Sequence, residues 1–412
     1  MLLIIGALFL VLSWTFIRWN LANIVALQID PKTPDSRFIA DWLIGLSPSD
    51  PRTHLLAAKV YESSFDADDL NRAVREYETA TSLSPHNYVM WLNLGRVRGL
   101  IGDADGSFKA YERALALAPN YSIVRWVYGN ALIREGRTDE GFTLISSAAA
   151  SDPRYLGPAV SIAIQIFDGN VDEVRRVMGD TAKINAGLAE TLIALGRPED
   201  SFDSWRRLSA QSSTGEFQDL GQKLHNKFVE LKRYRMAAMV HADMAKVDVS
   251  PVGQITNGGF EAGVKLGGTG VFDWRISEGT HPQVGLSEAA KRSGQYSLLL
   301  AFNSFETAGM RSIDQMVAVE PSTDYELMVF YRSDIRTDAL LKWEVIDAST
   351  LQQIAVSAPI TNAAEWAPIR VTFRTKENSD GIQVRFVREG CGGPACPMSG
   401  RIMFDDISLR RL

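Results

Sequence analysis

Residues that commonly carry catalysis or bind metals are scarce in this chain. Its 412 residues include two cysteines and five histidines. The histidines are scattered without the close spacing of metal ligands: His54, His86, His225, His241 and His281. The sequence contains no Gly-x-Ser-x-Gly nucleophile motif and no glycine-rich phosphate loop. We therefore expect a protein that is not an enzyme.

The chain also lacks a basic stripe. It carries 43 Lys and Arg against 49 Asp and Glu, for a net charge of -6, and the basic residues are dispersed. This distribution argues against nucleic acid as a partner. Hydrophobic residues make up 46% of the chain, which at this length supplies the cores of two or three domains.

The two cysteines lie in one short motif, Cys-Gly-Gly-Pro-Ala-Cys, at Cys391 and Cys396. Glycine and proline between them can turn the chain so that the sulfurs meet, which predicts a disulfide. Zinc is the alternative, but it prefers four ligands, and no second cysteine pair or nearby histidine is present. A disulfide indicates an oxidising compartment, so we expect the main body to be periplasmic or extracellular.

The first residues form an apolar run. Residues 2–17 contain no charge, and Trp14 and Trp19 lie where an interfacial aromatic belt would be. At about 1.5 Å per residue the run spans roughly 25 Å, just short of a hydrocarbon core. We expect residues 1–22 to be a single-pass membrane anchor; a signal sequence and a buried first helix are the alternatives. Arg18, after the run, favours a cytoplasmic body, against the cysteine argument.

A repeat organises the next part of the chain. Prolines recur at 51, 85, 119 and 153, each 34 residues after the last, and Gly95 and Gly129 keep the same step. Between the prolines, two helical patterns are separated by a Gly-Asp break at 102–103. One such helix pair cannot bury its own apolar face, so stacked copies are expected to form a right-handed solenoid.

Within the best-preserved unit, Trp91-Leu92-Asn93-Leu94-Gly95, followed by Tyr111, Ala114 and Pro119, resembles the tetratricopeptide repeat (TPR) family. The resemblance implies a concave groove that binds a protein partner. Its inward positions fall on six residues: Glu62, Leu92, Arg96, Trp126, Asn130 and Arg134. Arginine and asparagine could hold a peptide carboxylate or backbone. Alternatively, these are ordinary solvated side chains and Trp126 belongs to the core.

Composition divides the chain into segments. We expect a helical cap at 28–50, three TPR repeats at 51–153, degenerate helical repeats at 154–246 and a linker at 247–254. From 255 to 412, about eight alternating runs of five to eight residues, separated by turns, read as strands of a β-sandwich. The predicted fold is therefore multidomain: an N-terminal transmembrane helix, an all-α TPR solenoid and an all-β sandwich.

The ends of the β part carry a second resemblance. Asn257-Gly258-Gly259-Phe260-Glu261 and Phe404-Asp405-Asp406-Ile407-Ser408-Leu409 resemble the galactose-binding-like jelly rolls that include carbohydrate-binding modules of secreted glycosidases. The resemblance implies a structural Ca²⁺, which we assign to Glu261 and Asp406 because carboxylate oxygens suit this ion. The alternative is solvated turn carboxylates, or pairing with Arg401.

Sugar binding needs planar polar groups on one exposed surface. The polar faces of the predicted strands offer Arg332, Glu344, Gln383 and Arg385 as glycan ligands. No obvious exposed tryptophan accompanies them, since Trp343 alternates with apolar neighbours and is expected in the core. A sandwich that packs on the solenoid or binds protein is the alternative.

Together these features predict a membrane-anchored, extracytoplasmic scaffold of bacterial type. Its TPR groove would bind a protein and its sandwich a glycan, for example in polysaccharide assembly or export. The competing hypothesis is a cytoplasm-facing TPR adaptor whose sandwich is purely structural or protein-binding.

Overall fold

A computed structural model describes residues 2–28, 30–31, 33, 35–211, 215–246, 251–267, 269–306, 310–390 and 395–412. The chain forms two compact units, Met1–Gly187 and Leu188–Leu412. Helices precede strands along the chain, as the sequence predicted. Part of the predicted linker, residues 247–250, lies outside the described residues.

The helical part is built of helices that pack in pairs, α3 with α4, α5 with α6, α7 with α8 and α13 with α14. The helices are α1 (Leu2–Gln28), α2 (Ser36–Leu46), α3 (Pro51–Glu62), α4 (Ala67–Leu83), α5 (Tyr88–Leu100), α6 (Ala104–Leu117), α7 (Ser122–Arg134), α8 (Thr138–Ser151), α9 (Leu156–Ile166), α10 (Val171–Met178), α11 (Ala182–Ala194), α12 (Pro198–Gln211), α13 (Gln218–Glu230) and α14 (Tyr234–Ala245).

These pairs are consistent with a helical repeat. Helices α5 and α7 begin at residues 88 and 122, and α6 and α8 begin at 104 and 138, so both intervals are 34 residues. A Cβ at Gly95 would lie 2.7 Å from a ring atom of Tyr111, so only glycine lets that ring pack on α5. Side-chain caps fix the starts of two helices: Asn87 accepts from the backbone N–H of Val89, and Asp103 from that of Gly106.

Helix α1 packs on the helices that follow it. Ala22 is fully buried in a core that also contains Leu43 and Ala57, and the Arg18 guanidinium donates to the Gly45 carbonyl at 2.9 Å. In the part of the chain that the structure describes, no helix combines the length and apolarity that a membrane crossing requires. The membrane-spanning helix predicted for residues 1–22 is therefore not found there.

The strands form two antiparallel sheets. One has five strands in the order β1-β4-β10-β7-β8, and the other follows β2-β3-β11-β5-β9, with β6 paired to β11. The strands are β1 (Arg275–Ile276), β2 (Gln283–Ser287), β3 (Ser297–Glu306), β4 (Ile313–Ala318), β5 (Asp324–Ser333), β6 (Arg336–Thr337), β7 (Leu340–Asp347), β8 (Gln353–Val356), β9 (Ala363–Arg374), β10 (Gly381–Glu389) and β11 (Ala395–Arg411).

The buried core of the β part confirms the predicted sandwich. Trp343 is fully buried, as expected, and its ring centroid lies 5.1 Å from that of Phe404 and 6.0 Å from that of Trp274. These rings come from β7, β11 and the residue before β1, so the core joins the two sheets. Aromatic side chains dominate such cores because each buries a large apolar area.

Within the second unit, α14 packs on the five-stranded sheet. Tyr234 and Ala238 share a buried cluster with Ala318 and Ala348. Arg235 pairs with Asp380, and its Nη1 lies 2.7 Å from the Glu320 carboxylate. The helix therefore covers one end of that sheet with an apolar contact bordered by ion pairs.

Candidate functional site

The outer face of the five-stranded sheet is polar because buried apolar residues and outward-facing polar residues alternate along its strands. Ile313, Trp343 and Val384 are buried on the inner face, so the next residue along each strand points outward. Those outward positions carry Asp314, Glu344 and Arg385.

Four of the outward residues form one line across the sheet, which we term the charged row: Arg275, Asp314, Arg385 and Glu344. The pairing register places Asp314 opposite both Arg275 and Arg385, and Arg385 opposite Glu344. The signs of charge therefore alternate across β1, β4, β10 and β7. With neighbouring strands about 4.8 Å apart, the row is roughly 14 Å long.

Ion pairs fix the side chains of the charged row. The Arg275 Nε donates to Asp314 Oδ2 at 2.9 Å, and the Arg385 Nε donates to Glu344 Oε1. The Gln383 amide also donates to Asp314 Oδ2, at 2.9 Å. Two carboxylates on a single sheet face are thus held by guanidinium and amide donors.

The two signs of charge differ in exposure. The Asp314 and Glu344 side chains are 9% and 5% exposed, whereas those of Arg275 and Arg385 are 41% and 43% exposed. The carboxylates lie beneath the guanidinium groups. The surface therefore presents N–H donors, and the ion pairs with the buried carboxylates fix the positions of these donors. Pairing also satisfies the buried carboxylates, which otherwise would be costly to desolvate.

The structure brings together three of the four predicted glycan ligands, Glu344, Gln383 and Arg385. Arg332 lies apart from them, on β5 of the other sheet. Sequence reasoning missed Arg275 and Asp314. Strand β1 has only two residues, too few to give an alternating pattern, and Asp314 is the second residue of β4, where the bounds of a strand are hard to locate from sequence.

The predicted metal ligands lie near one another at the start of the sandwich. Glu261 accepts from the backbone N–H of Gln295 at 2.9 Å and of Tyr296 at 3.2 Å. Asp406 accepts from the Ser293 hydroxyl at 2.7 Å and pairs with Arg292.

The alternative partner for Asp406, Arg401, instead pairs with Asp334, at 3.1 Å. The neighbouring carboxylate, Asp405, is fully buried and accepts from the backbone N–H groups of Arg292 and Ser293 at 2.7 and 3.3 Å. Burial raises the pKa of Asp405, and these hydrogen bonds oppose the rise.

The fit of this cluster to Ca²⁺ is incomplete. A Cβ built on Gly259 would lie 3.8 and 3.9 Å from Oδ1 of Asp405 and Asp406, so carboxylate oxygens of the right chemistry are close together. They accept from N–H and O–H groups, however. Among the described residues no three His, Cys, Asp or Glu side chains converge as metal ligands. The calcium site therefore stays a prediction.

The predicted disulfide includes Cys391, which lies outside the described residues. Cys396 is buried on β11. Their pairing stays a prediction.

Three of the predicted groove residues lie in or against the packed interior of the helical part. The Glu62 carboxylate is buried and accepts from the Tyr77 hydroxyl at 3.0 Å and from Arg96 Nη2 at 2.7 Å. Leu92 packs against the buried cluster that contains Tyr111 and Tyr128. Glu62 and Arg96 therefore join successive helix pairs, and the Arg96 side chain remains 41% exposed.

The other three groove residues lie on α7. Trp126 is half-buried and stacks on Tyr155, with ring centroids 4.9 Å apart. The Asn130 amide donates to the Trp126 carbonyl one helical turn earlier, at 2.8 Å. Arg134 is exposed.

No family model matches this chain, and no curated protein matches it. Solved structures that resemble part of it include a family 4 carbohydrate-binding module, at 14% identity and a TM-score of 0.29, covering 38% of this chain and 99% of the module. A family 16 carbohydrate-binding module matches at 18% identity and a TM-score of 0.27, covering 38% of this chain and 98% of the module.

A third similar structure contains the CBM22-1 and GH10 modules of a Clostridium thermocellum endo-1,4-β-D-xylanase complexed with xylohexaose. It matches at 15% identity and a TM-score of 0.27, covering 39% of this chain and 29% of that chain.

Proposed function

We propose that the β-sandwich binds a glycan on the outer face of its five-stranded sheet. The observation that carries this proposal is the charged row with Gln383 beside it. Half-exposed guanidinium groups are held in place by buried carboxylates, so donors for sugar oxygens are positioned before a ligand arrives. Pre-positioned polar groups lower the ordering cost of binding.

We propose a binding role rather than catalysis. Cleavage of a glycosidic bond needs one carboxyl group that donates a proton and a second carboxylate that acts as base or nucleophile. On this face Asp314 and Glu344 are both engaged by guanidinium groups. Both carboxylates are covered by their guanidinium partners, so neither is placed to reach a glycosidic oxygen.

For the helical part we propose a TPR-type solenoid that holds a protein partner. The proposal rests on the TPR resemblance around Trp91 and Gly95, the 34-residue interval between helix pairs, and the exposure of Arg134 and Arg96. A scaffold joining a protein to a glycan would suit polysaccharide assembly or export.

An extracytoplasmic location of the main body is a further proposal, and it rests on the motif that contains Cys391 and Cys396. Thiol labelling of protein taken from native cells tests it. We expect both cysteines to resist alkylation until a reductant is added, whereas free thiols would favour the cytoplasm-facing adaptor.

The second candidate function is an adaptor whose sandwich is structural. The packing of α14 on the five-stranded sheet favours it, since Tyr234 lies over Gly381 on the same face as the charged row. A sheet used only for packing would show such a contact.

A glycan array with the full chain separates these candidates. We expect selective, saturable binding that Arg385→Ala weakens about 10- to 100-fold, as the loss of a charged hydrogen bond predicts. Arg332→Ala is the matched control, because Arg332 lies on the other sheet and should leave binding unchanged. Folded wild-type protein that binds no glycan, or equal losses in both variants, would contradict the proposal.

A further inference from the structure

Tyr234, the first residue of α14, places a hydroxyl group at the outer face of the five-stranded sheet. The residue is only 8% exposed, and its ring packs directly over Gly381 of β10. Among the described residues the Tyr234 hydroxyl has no hydrogen-bond partner. Its oxygen is not fully buried, so the O–H is accessible to solvent and to a ligand.

The Tyr234 ring lies on the same sheet face as the charged row, four residues from Arg385 along β10. Gly381, Gln383 and Arg385 alternate along β10 and share one face, so the Tyr234 ring lies about 7 Å along the strand from Gln383. Burial raises the pKa of Tyr234, and the nearby Arg275 charge opposes the rise. The phenol is therefore close enough to the Arg275 end of the row for that charge to act on it.

The accessible groups of this face are mainly donors. Guanidinium groups only donate, and the carboxylates that would accept are covered by them. The Gln383 side-chain amide donates an N–H to Asp314, and the carbonyl oxygen of Gln383 remains available to accept from a hydroxyl. A neutral sugar presents hydroxyls that donate as well as accept, whereas a carboxylate only accepts. Donor-rich surfaces of this kind match carboxylates.

We propose that the charged row and the Tyr234 hydroxyl together form a site for an acidic glycan, a chain bearing carboxylate groups. Helix α14 then contributes Tyr234 to the sugar-binding site, in addition to packing on the sheet. This inference rests on the proposed glycan-binding function and adds to it the class of ligand and a residue from the helical part.

The attachment of α14 keeps Tyr234 in place before a ligand binds. Arg235 pairs with Asp380, one residue before Gly381, and the Lys232 amine donates to the Ser349 carbonyl at 3.0 Å. The two residues that make these polar contacts, Lys232 and Arg235, lie on either side of Tyr234 in the sequence. The hydroxyl is thus positioned by the protein, which spares the ligand that ordering cost.

Binding of the full chain to carboxylated polysaccharides tests the inference. The probes are polygalacturonate, alginate and hyaluronate, each beside its methyl-esterified counterpart, which keeps the backbone and removes the charge. We expect at least about tenfold weaker binding to the ester of the preferred chain, and weaker binding to the acid form as salt rises.

Tyr234→Phe tests the hydroxyl alone, because the ring that packs on Gly381 is retained. We expect about 2- to 10-fold weaker binding to the acidic chain, the effect of one neutral hydrogen bond. Tyr121→Phe, at an exposed tyrosine of the helical part, is the control and should bind as wild type.

The possible outcomes are distinguishable. If folded wild-type protein binds a neutral glycan on this face but prefers no acid form, the acidic specificity is wrong and the glycan-binding proposal survives. If Arg385→Ala weakens binding to the acidic chain and Tyr234→Phe does not, α14 is not part of the site. If no glycan binds, both proposals fall.

Discussion

The ring of Tyr234 occupies the space in which a side chain at Gly381 would stand. A Cβ at position 381 would come within 2.6 Å of the ring. This close approach joins α14 to β10, and it depends on the glycine because any larger residue would meet the ring first. The contact links the helical and β parts of the second unit.

Gly381→Ala is therefore expected to weaken the docking of α14. The added methyl group overpacks the contact, and we expect the free energy of unfolding to fall by about 1–3 kcal/mol. Urea denaturation followed by tryptophan fluorescence measures the loss. The control is Gly285→Ala on β2, where no atom lies within 4 Å of the new Cβ, and an equal loss in both variants would disprove the overpacking.

The ion pair between Glu62 and Arg96 is expected to stabilise the helical part. Arg96→Ala leaves the buried Glu62 carboxylate with the Tyr77 hydroxyl, and we expect a loss of about 1–3 kcal/mol in the free energy of unfolding. Adding Glu62→Gln should restore part of this stability, because the double variant no longer buries an uncompensated charge.

Arg137→Ala is the control for this ion pair, since Arg137, just before α8, and Glu140 in its first turn are exposed partners. Such pairs contribute little, so we expect no measurable shift of the urea midpoint. A double variant less stable than Arg96→Ala alone would mean that the Glu62 charge is not the cause of the loss.

His54 is expected to make stability depend on pH. Its two ring nitrogens face acceptors, the Glu76 carboxylate at 2.6 Å and the Pro48 carbonyl at 2.9 Å, so both bonds form only when the ring is doubly protonated. The hydrogen bond with Glu76 raises the pKa of His54 above its ordinary value, while burial opposes the rise. The protonated form is therefore favoured by folding.

The direction of this pH dependence follows from the linkage between proton binding and folding. The His54 contribution is fully present below the unfolded pKa of about 6.5 and is lost as pH rises through the higher folded pKa. The free energy of unfolding, measured by urea denaturation between pH 5.5 and 9, should fall more steeply for wild type than for Glu76→Gln, by at most about 1.4 kcal/mol per pH unit. His86→Gln, at an exposed histidine, is the control and should follow wild type. A Glu76→Gln profile parallel to wild type would contradict this assignment.

Calcium is expected to stabilise the sandwich if Glu261 and Asp406 bind it. At a concentration one hundred times Kd, binding would add about 2.7 kcal/mol to the free energy of unfolding. Thermal unfolding with Ca²⁺ and with chelator measures the shift, and Glu261→Gln with Asp406→Asn should abolish it. Equal unfolding temperatures in both buffers would show that backbone N–H groups and Arg292 suffice for these carboxylates.

Local patterns predicted much of the fold. The 34-residue step anticipated helix pairs because stacking units need equivalent contacts, and alternation around Trp343 correctly placed it in the core. The N-terminal helix was harder to interpret. An apolar run does not say what covers it: Ala22, beyond the run, packs against α2 and α3, whereas Trp14 and Phe16 within the run are exposed.

By itself, the sequence determined the kinds of elements and which faces are apolar, since these depend on residues close along the chain. The charged row was decided only by tertiary structure. Its members, Arg275, Asp314, Glu344 and Arg385, meet because β1, β4, β10 and β7 are neighbours in the sheet although they are distant in sequence. Tyr234 joins them because Gly381 leaves room for its ring. Such pairings between distant segments arise from packing, which no local pattern encodes.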